Sequence, residues 1–297
     1  MPDTKLRGVI AAIATIIDEQ GAPDHARSLT LARHLLDHGC DGLNVLGTTG
    51  EATSLSRYER KALMSAYRAA GLPMERLMVG TGAAATADAV ALTRHAADLG
   101  FAGALVVPPF YYKAVPDDGL VAYIDALMQA TAGNPISIYL YHFPAMSGLP
   151  WHVALIRRLL ATFGKRIAGL KDSSGDMDYA REAAKVAPDF AVFPSTEAAL
   201  LEARDGTFAG CISATANCNA DLCARGWQGD RAALDQAVAI RKLFDGKPLV
   251  SGVKALLAHI HGDPALARMK PPLAAFSAAD RASVMAGHDA VRAKRVA

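Results

Sequence analysis

The sequence predicts an α/β protein: a closed (β/α)8 TIM barrel over residues 1–228, followed by a helical C-terminal extension over residues 229–297. Three observations carry that expectation. Short apolar runs alternate with longer amphipathic segments, the pattern of parallel strands joined by crossover helices. Eight such pairs end near residue 228, and eight units close into a barrel. No Gly-x-Gly-x-x-Gly follows the first run, where an open dinucleotide-binding sheet would carry it.

Taken in order, Val9 to Ala14 reads as the first strand. Asp24 to His38 reads as its helix, with leucines at 29, 31, 35 and 36 and Asp24 placed to cap it. Gly42 to Leu46 is the second strand, with a helix from Arg57 to Ala70. Arg76 to Val79 pairs with the helix Thr86 to Leu99, closed by Gly100. Ala102 to Val107 precedes the helix Asp117 to Thr131, and Ile136 to Leu140 precedes Trp151 to Ala161. Arg166 to Leu170 is the sixth strand, with a helix from Met177 to Ala187. Phe190 to Phe193 and Phe208 to Ser213 are the last two, with helices from Thr196 to Arg204 and from Ala220 onward. Beyond that, 230–244, 250–260 and 278–291 read as helices with no strands between them.

Composition narrows the function. Of 297 residues, 52% are hydrophobic and 20% charged, enough for a large core and against disorder. The 31 basic and 29 acidic residues nearly balance, and no basic tract points to nucleic acid. No apolar run is long enough to span a bilayer, and the first five residues lack the character of a signal peptide. Cys40, Cys211, Cys218 and Cys223 lack the paired spacing of a zinc site and read as free thiols of a reducing cytoplasm. No group of His and carboxylates shows metal-ligand spacing, so neither metal nor other cofactor is expected.

Lys171 is the most informative residue. It closes the apolar run Ile167-Ala168-Gly169-Leu170. A lysine at that place is either an ordinary strand-end side chain reaching solvent or a buried amine. Burial lowers an amine's pKa and frees the neutral form, which attacks carbonyls to give an imine. In a barrel of this kind the C-terminal strand ends form one mouth. There Lys171 would meet Gly47-Thr48-Thr49-Gly50 after strand two, Tyr111 and Tyr112 after strand four, Tyr141 and His142 after strand five, Ser195 after strand seven and Ile212 on strand eight. The Gly-Thr-Thr-Gly loop offers backbone N–H groups and two hydroxyls to a small carboxylate, or is a plain turn. Tyr141 is either a proton relay or a barrel-lining aromatic, and His142 a titrating group or a scaffold residue. Asp176 and its neighbours read as caps of the next helix.

Together, Gly47-Thr48-Thr49-Gly50-Glu51, Tyr141-x-x-Pro144 and Gly169-Leu170-Lys171-Asp172 resemble the motifs of the dihydrodipicolinate synthase / N-acetylneuraminate lyase family. The resemblance implies a lysine-dependent pyruvate aldolase working as a homotetramer or dimer on a small keto acid and an aldehyde, with no cofactor. It implies that Lys171 forms the imine, Tyr141 is the acid/base, and Thr48 and Thr49 hold the carboxylate beside Gly47, with Thr48 linking Tyr141 into a hydroxyl relay. Tyr111 matches a tyrosine lent to a neighbouring subunit, with Tyr112 its competitor. Ile212 matches a position facing the keto acid.

Departures bear on the substrate. Met146 stands where the synthases carry an arginine, and a methionine cannot pair with a carboxylate. Thr48 and His142 replace the Ser and Asn of the sialic acid lyases, and Thr15-Ile16 replaces the family's Thr-Pro. Lys171-Asp172-Ser173-Ser174-Gly175-Asp176 is more similar to the 2-keto-3-deoxy sugar acid aldolases and dehydratases. Aldol cleavage of such an acid is therefore expected, with Met146, Ser195 and His142 facing the aldehyde half. A dehydratase, a dihydrodipicolinate synthase with an unusual clamp and a non-catalytic keto-acid-binding barrel are the alternatives.

Overall fold

Eight parallel strands form one sheet in the order β7-β6-β5-β4-β3-β2-β1-β8. They are β1 Gly8–Ala12, β2 Gly42–Val45, β3 Leu77–Gly80, β4 Gly103–Val106, β5 Ser137–His142, β6 Ile167–Asp172, β7 Ala191–Pro194 and β8 Gly210–Ser213. The computed structural model describes residues 6–294, so the pentapeptide read for a targeting signal and the last three residues lie outside it. The β1–β8 pairing rolls the sheet up. At the remaining seam Ala209 N donates to Val192 O at 2.9 Å. The result is a (β/α)8 barrel.

The helices are α1 His25–Asp37, α2 Arg57–Ala69, α3 Thr86–Leu99, α4 Asp117–Ala130, α5 Pro144–Ser147, α6 Val153–Phe163, α7 Met177–Ala184, α8 Leu200–Arg204, α9 Ala216–Gln228, α10 Arg231–Lys242, α11 Leu249–His261 and α12 Ala278–Ala293. Local chemistry sets many ends. Asp24 and Asp176 cap α1 and α7 through their carboxylates, as expected from sequence. Ser56 and Glu59 form a reciprocal capping box on α2. Gly100 ends α3 in the left-handed conformation.

Alternation along each strand builds two cores. Inward side chains, among them Ile10, Met78, Leu105, Tyr139, Tyr141, Phe193 and Ile212, fill the barrel. Outward ones, such as Val9, Leu43, Val79, Leu140 and Leu170, meet the helices. With both faces covered, the strands read as continuous apolar runs rather than alternating ones.

Several boundaries differ from the sequence reading, for identifiable reasons. β1 ends at Ala12 because Ala14 N turns to the Asn217 side chain at 3.1 Å. α7 stops at Ala184, short of Pro188, whose ring disfavours helical backbone at Ala187. The helix after β8 begins at Ala216 and breaks at Asn219, whose backbone is non-helical and whose amide donates to Ala237 O. The segment after β7 is a 3-10 turn, Glu197–Ala199, followed by the single-turn α8. α5, started by Pro144 at its first position, was absent from the sequence reading.

The extension shares the barrel's outer core. Leu234, Ala237 and Ile240 of α10, Val253, Leu256 and Leu257 of α11 and Val284 of α12 belong to the same buried cluster as the barrel helices. Residue 228 is therefore a change of pattern and not a break in packing. Among the described residues no helix is long and apolar enough to cross a membrane.

Candidate active site

Strand parity aims the reactive side chains. Tyr141 on β5 and Lys171 on β6 are register partners, and both point into the barrel mouth. The strands approach closely below them because Gly169 has no Cβ: one built there would lie 2.1 Å from Ala191 O and 2.9 Å from the Tyr139 ring. Lys171 is 3% exposed, and its Nζ lies 4.6 Å from the Tyr141 ring centroid. Burial pushes the lysine's pKa down, and contact with Tyr141 only partly opposes this. The Tyr141 hydroxyl lies 3.0 Å from Thr48 Oγ1. Amine, phenol and threonine hydroxyl thus form one connected group.

The loop bearing Thr48 and Thr49 is strained and clamped. Leu46 and Glu51 both adopt left-handed backbone with φ 53°, which costs a non-glycine residue about 1–2 kcal/mol. Glu51 is held from the extension: its buried carboxylate accepts from Lys254 Nζ of α11 and, at 2.8 Å, from Lys270 N. Lys254 also donates to Thr15 O at 3.0 Å, which ties in the turn after β1 where Ile16 replaces the family's proline.

Two adjoining cavities open at the strand ends. The larger, about 410 Å³, is lined by Thr48, Thr49, Tyr141, Met146, Lys171, Ser195 and Ile212. The smaller, about 210 Å³, adjoins Thr48 and Tyr141 and is lined also by Gly47, Phe110 and Arg60. Met146, 66% exposed on α5, sits where the two meet.

Two expected residues stand apart. His142 follows Tyr141 on β5 and therefore points outward. Its ring stacks on Tyr179 at 4.1 Å, its Nδ1 accepts from Trp151 N at 3.1 Å, and it lines neither cavity. Burial lowers its pKa to about 4, so at neutral pH it is an uncharged scaffold residue. Tyr111 is 75% exposed, also outside both cavities, and stacks edge-on with Tyr112, which is 70% exposed.

The extension supplies walls that sequence reasoning missed. Arg241 of α10, residues 248–251 at the start of α11, and Leu273 to Ala275 line the larger cavity. Arg241 carried no signal, since a cation in a helix's last turn is ordinary. Lys254 did carry one: it interrupts the apolar run Val253-Lys254-Ala255-Leu256-Leu257.

All four cysteines are free and buried. Among the described residues the fold gathers one group of His and carboxylate side chains that sequence spacing does not show. His259, His288 and Asp289 converge from α11 and α12, and none lines either cavity.

Similarity agrees with this geometry. The model of the dihydrodipicolinate synthetase family matches residues 5–290. An uncharacterized DapA-like lyase of Chloroflexus aurantiacus is 34% identical over 261 residues, 88% of this chain and 84% of that protein. The crystal structure of dihydrodipicolinate synthase from Agrobacterium tumefaciens superposes with a TM-score of 0.88 at 30% identity, covering 96% of this chain and 99% of that one. A variant of the Sulfolobus solfataricus 2-keto-3-deoxygluconate aldolase shares the fold, with a TM-score of 0.85 at 19% identity over 96% of each chain. With the barrel, the motif order and these matches in agreement, the chain belongs to the dihydrodipicolinate synthetase family and is a lyase of that family.

Proposed function

We propose that this lyase cleaves a 2-keto-3-deoxy sugar acid, or a related 4-hydroxy-2-oxo acid, to pyruvate and an aldehyde through an imine on Lys171. The observation that carries the reading is the buried Lys171 amine against Tyr141, itself hydrogen-bonded to Thr48. Neutral Lys171 attacks C2 of the keto acid, and Tyr141 gives its phenolic proton to the departing hydroxide, so that water leaves and a protonated imine and a phenolate remain. The Tyr141 phenolate then takes the C4 hydroxyl proton, with Thr48 as its relay. The C3–C4 electrons flow to the imine nitrogen, the aldehyde departs and an enamine remains. A proton returns to C3, and hydrolysis frees pyruvate and the amine. No cofactor enters this sequence.

Thr48 and Thr49 bind the carboxylate together with the backbone at Gly47, and Ile212 packs against the keto acid's carbon chain. Ser195 and Met146 face the aldehyde half, and Met146 brings no charge to it. Exposed Tyr111 reaches a neighbouring subunit's site in a homotetramer or dimer, with Tyr112 the other tyrosine placed to do so. The enzyme acts in the cytoplasm.

Incubation with a panel of 2-keto-3-deoxy acids tests this. The expected result is equal release of pyruvate and aldehyde. Loss of water without pyruvate release would instead make it a dehydratase. Condensation only of pyruvate with aspartate semialdehyde would make it a synthase.

A further inference from the structure

The larger cavity contains a cation that the proposed chemistry does not use. Arg241, in the last turn of α10, lines its wall with Lys171, Ser195 and Ile212. Its Nη1 is buried without a hydrogen-bond partner. Its guanidinium faces the Glu197 carboxylate, whose Oε2 lies 3.8 Å from Nη1, an ion pair beyond hydrogen-bonding reach, and Lys171 also lies within range of its charge. Glu197 is fully buried, and its other oxygen accepts from Ser213 at 2.7 Å and from the Thr215 hydroxyl. The carboxylate is thus held by Ser213 of β8 and by Thr215 in the turn after it, while its Oε2, like Arg241 Nη1, makes no hydrogen bond. Arg60 in the smaller cavity differs, because its Nη2 donates to Gly80 O and Gly82 O at 2.9 and 3.2 Å.

We propose that Arg241 is a specificity-determining residue that binds an anionic group, carboxylate or phosphate, on the aldehyde half of the substrate. This rests on the aldolase reading above. Position supports it. The loop after β2 takes the keto acid's carboxylate and Lys171 on β6 takes C2, while Arg241 stands over the β7–β8 side, next to Glu197 and Ser213. Charge supports it too. Arg241 is cationic, burial favours the neutral form of Lys171, hydroxyls come from threonine, serine and tyrosine, and no carboxylate lines this cavity. A guanidinium whose Nη1 makes no hydrogen bond still has donors to offer, in the planar fork that matches two oxygens of a carboxylate or phosphate. Once Lys171 has become an imine, Arg241 is the remaining side-chain cation on the wall able to hold an anion without joining the chemistry. Met146, at the synthases' arginine position, contributes none.

The test is condensation of pyruvate with three aldehydes on one three-carbon frame: neutral glyceraldehyde, glyceraldehyde 3-phosphate and 2-hydroxy-3-oxopropanoate. The wild type should prefer at least one anionic aldehyde over the neutral one by about tenfold in kcat/KM or more. Arg241→Gln should reduce that ratio about tenfold, through KM, and Arg241→Lys should restore part of it as a point charge. The phosphate and carboxylate arms identify which anion is taken. No wild-type preference, or a ratio unchanged in Arg241→Gln, overturns the proposal. So does a rise in pyruvate KM alone, since Arg241 would then hold the keto acid. Borohydride trapping of pyruvate on Lys171 is run alongside. A normal adduct with an unchanged ratio removes only the role of Arg241, whereas absence of the adduct removes the aldolase reading as well.

Discussion

Glu51 and Lys254 form an ion pair in which neither side chain is exposed, although 203 residues separate them. The pair joins the loop that carries Thr48 and Thr49 to α11 of the extension. Breaking a buried pair by removing one partner leaves the other charge without compensation and costs about 3–5 kcal/mol. Lys254→Met should therefore lower stability by that amount in urea unfolding. It should also raise the KM for pyruvate, because the strained backbone at Glu51 loses its clamp. A stability change under about 1 kcal/mol with KM unaltered would show that the pair does not position the loop.

Lys171 titrates below its usual 10.5, chiefly because it is buried. The neutral amine is favoured in the folded chain, so the unfolded chain binds more protons between the native pKa and 10.5. Stability therefore rises with pH across that window. Lys171→Met removes this titration. The variant should be more stable than the parent at neutral pH, by a margin that shrinks as pH approaches 10.5. Urea midpoints at a series of pH values measure it, and a margin independent of pH would contradict the buried-amine account.

Tyr141 and Thr48 act as one relay in the proposed mechanism. Tyr141→Phe keeps the ring against Lys171 and deletes the proton carrier. The kcat should fall by about 10²–10⁴, the range for general acid–base catalysis, while pyruvate still traps on Lys171. Thr48→Val should produce a smaller loss of the same kind. Combining the two should cost little more than Tyr141→Phe alone, since residues of one relay are not additive. Additive losses in the cycle would separate the two hydroxyls.

His142 offers a test of stability apart from chemistry. Its pKa is lowered from 6.5 to about 4 by burial, against an opposing pull from Asp176. As pH falls from 6.5 toward 4, the unfolded chain takes up a proton that the folded chain refuses, so stability drops, by about 3 kcal/mol at most. His142→Asn retains an acceptor for Trp151 N and should flatten this part of the curve. An unchanged acid limb would mean that another group sets it.

Much of this site was legible in the sequence for one reason: short apolar runs bounded by turn residues locate strand ends, and barrel chemistry lies at strand ends. Lys171, Tyr141, Thr48, Thr49, Ser195 and Ile212 all line the one cavity. His142 was misassigned although the signal was present. Neighbours on a strand face opposite sides, so Tyr141 pointing inward puts His142 outward. Arg241 lay beyond reading, because its role depends on how α10 docks over β7 and β8, and helical periodicity does not encode that docking. The Lys254 partnership was half visible, as a charge in an apolar helix whose acceptor only the fold reveals. Helix ends failed where tertiary bonds overrode periodicity, as at Asn219.

The central claim, a carbonyl-accepting amine at Lys171, is tested most directly by incubating the protein with pyruvate and borohydride and mapping the modified peptide. A single reduced adduct on Lys171, lost in Lys171→Met and retained in Tyr141→Phe, is the predicted result. No adduct, or one on another lysine such as Lys254, would contradict it.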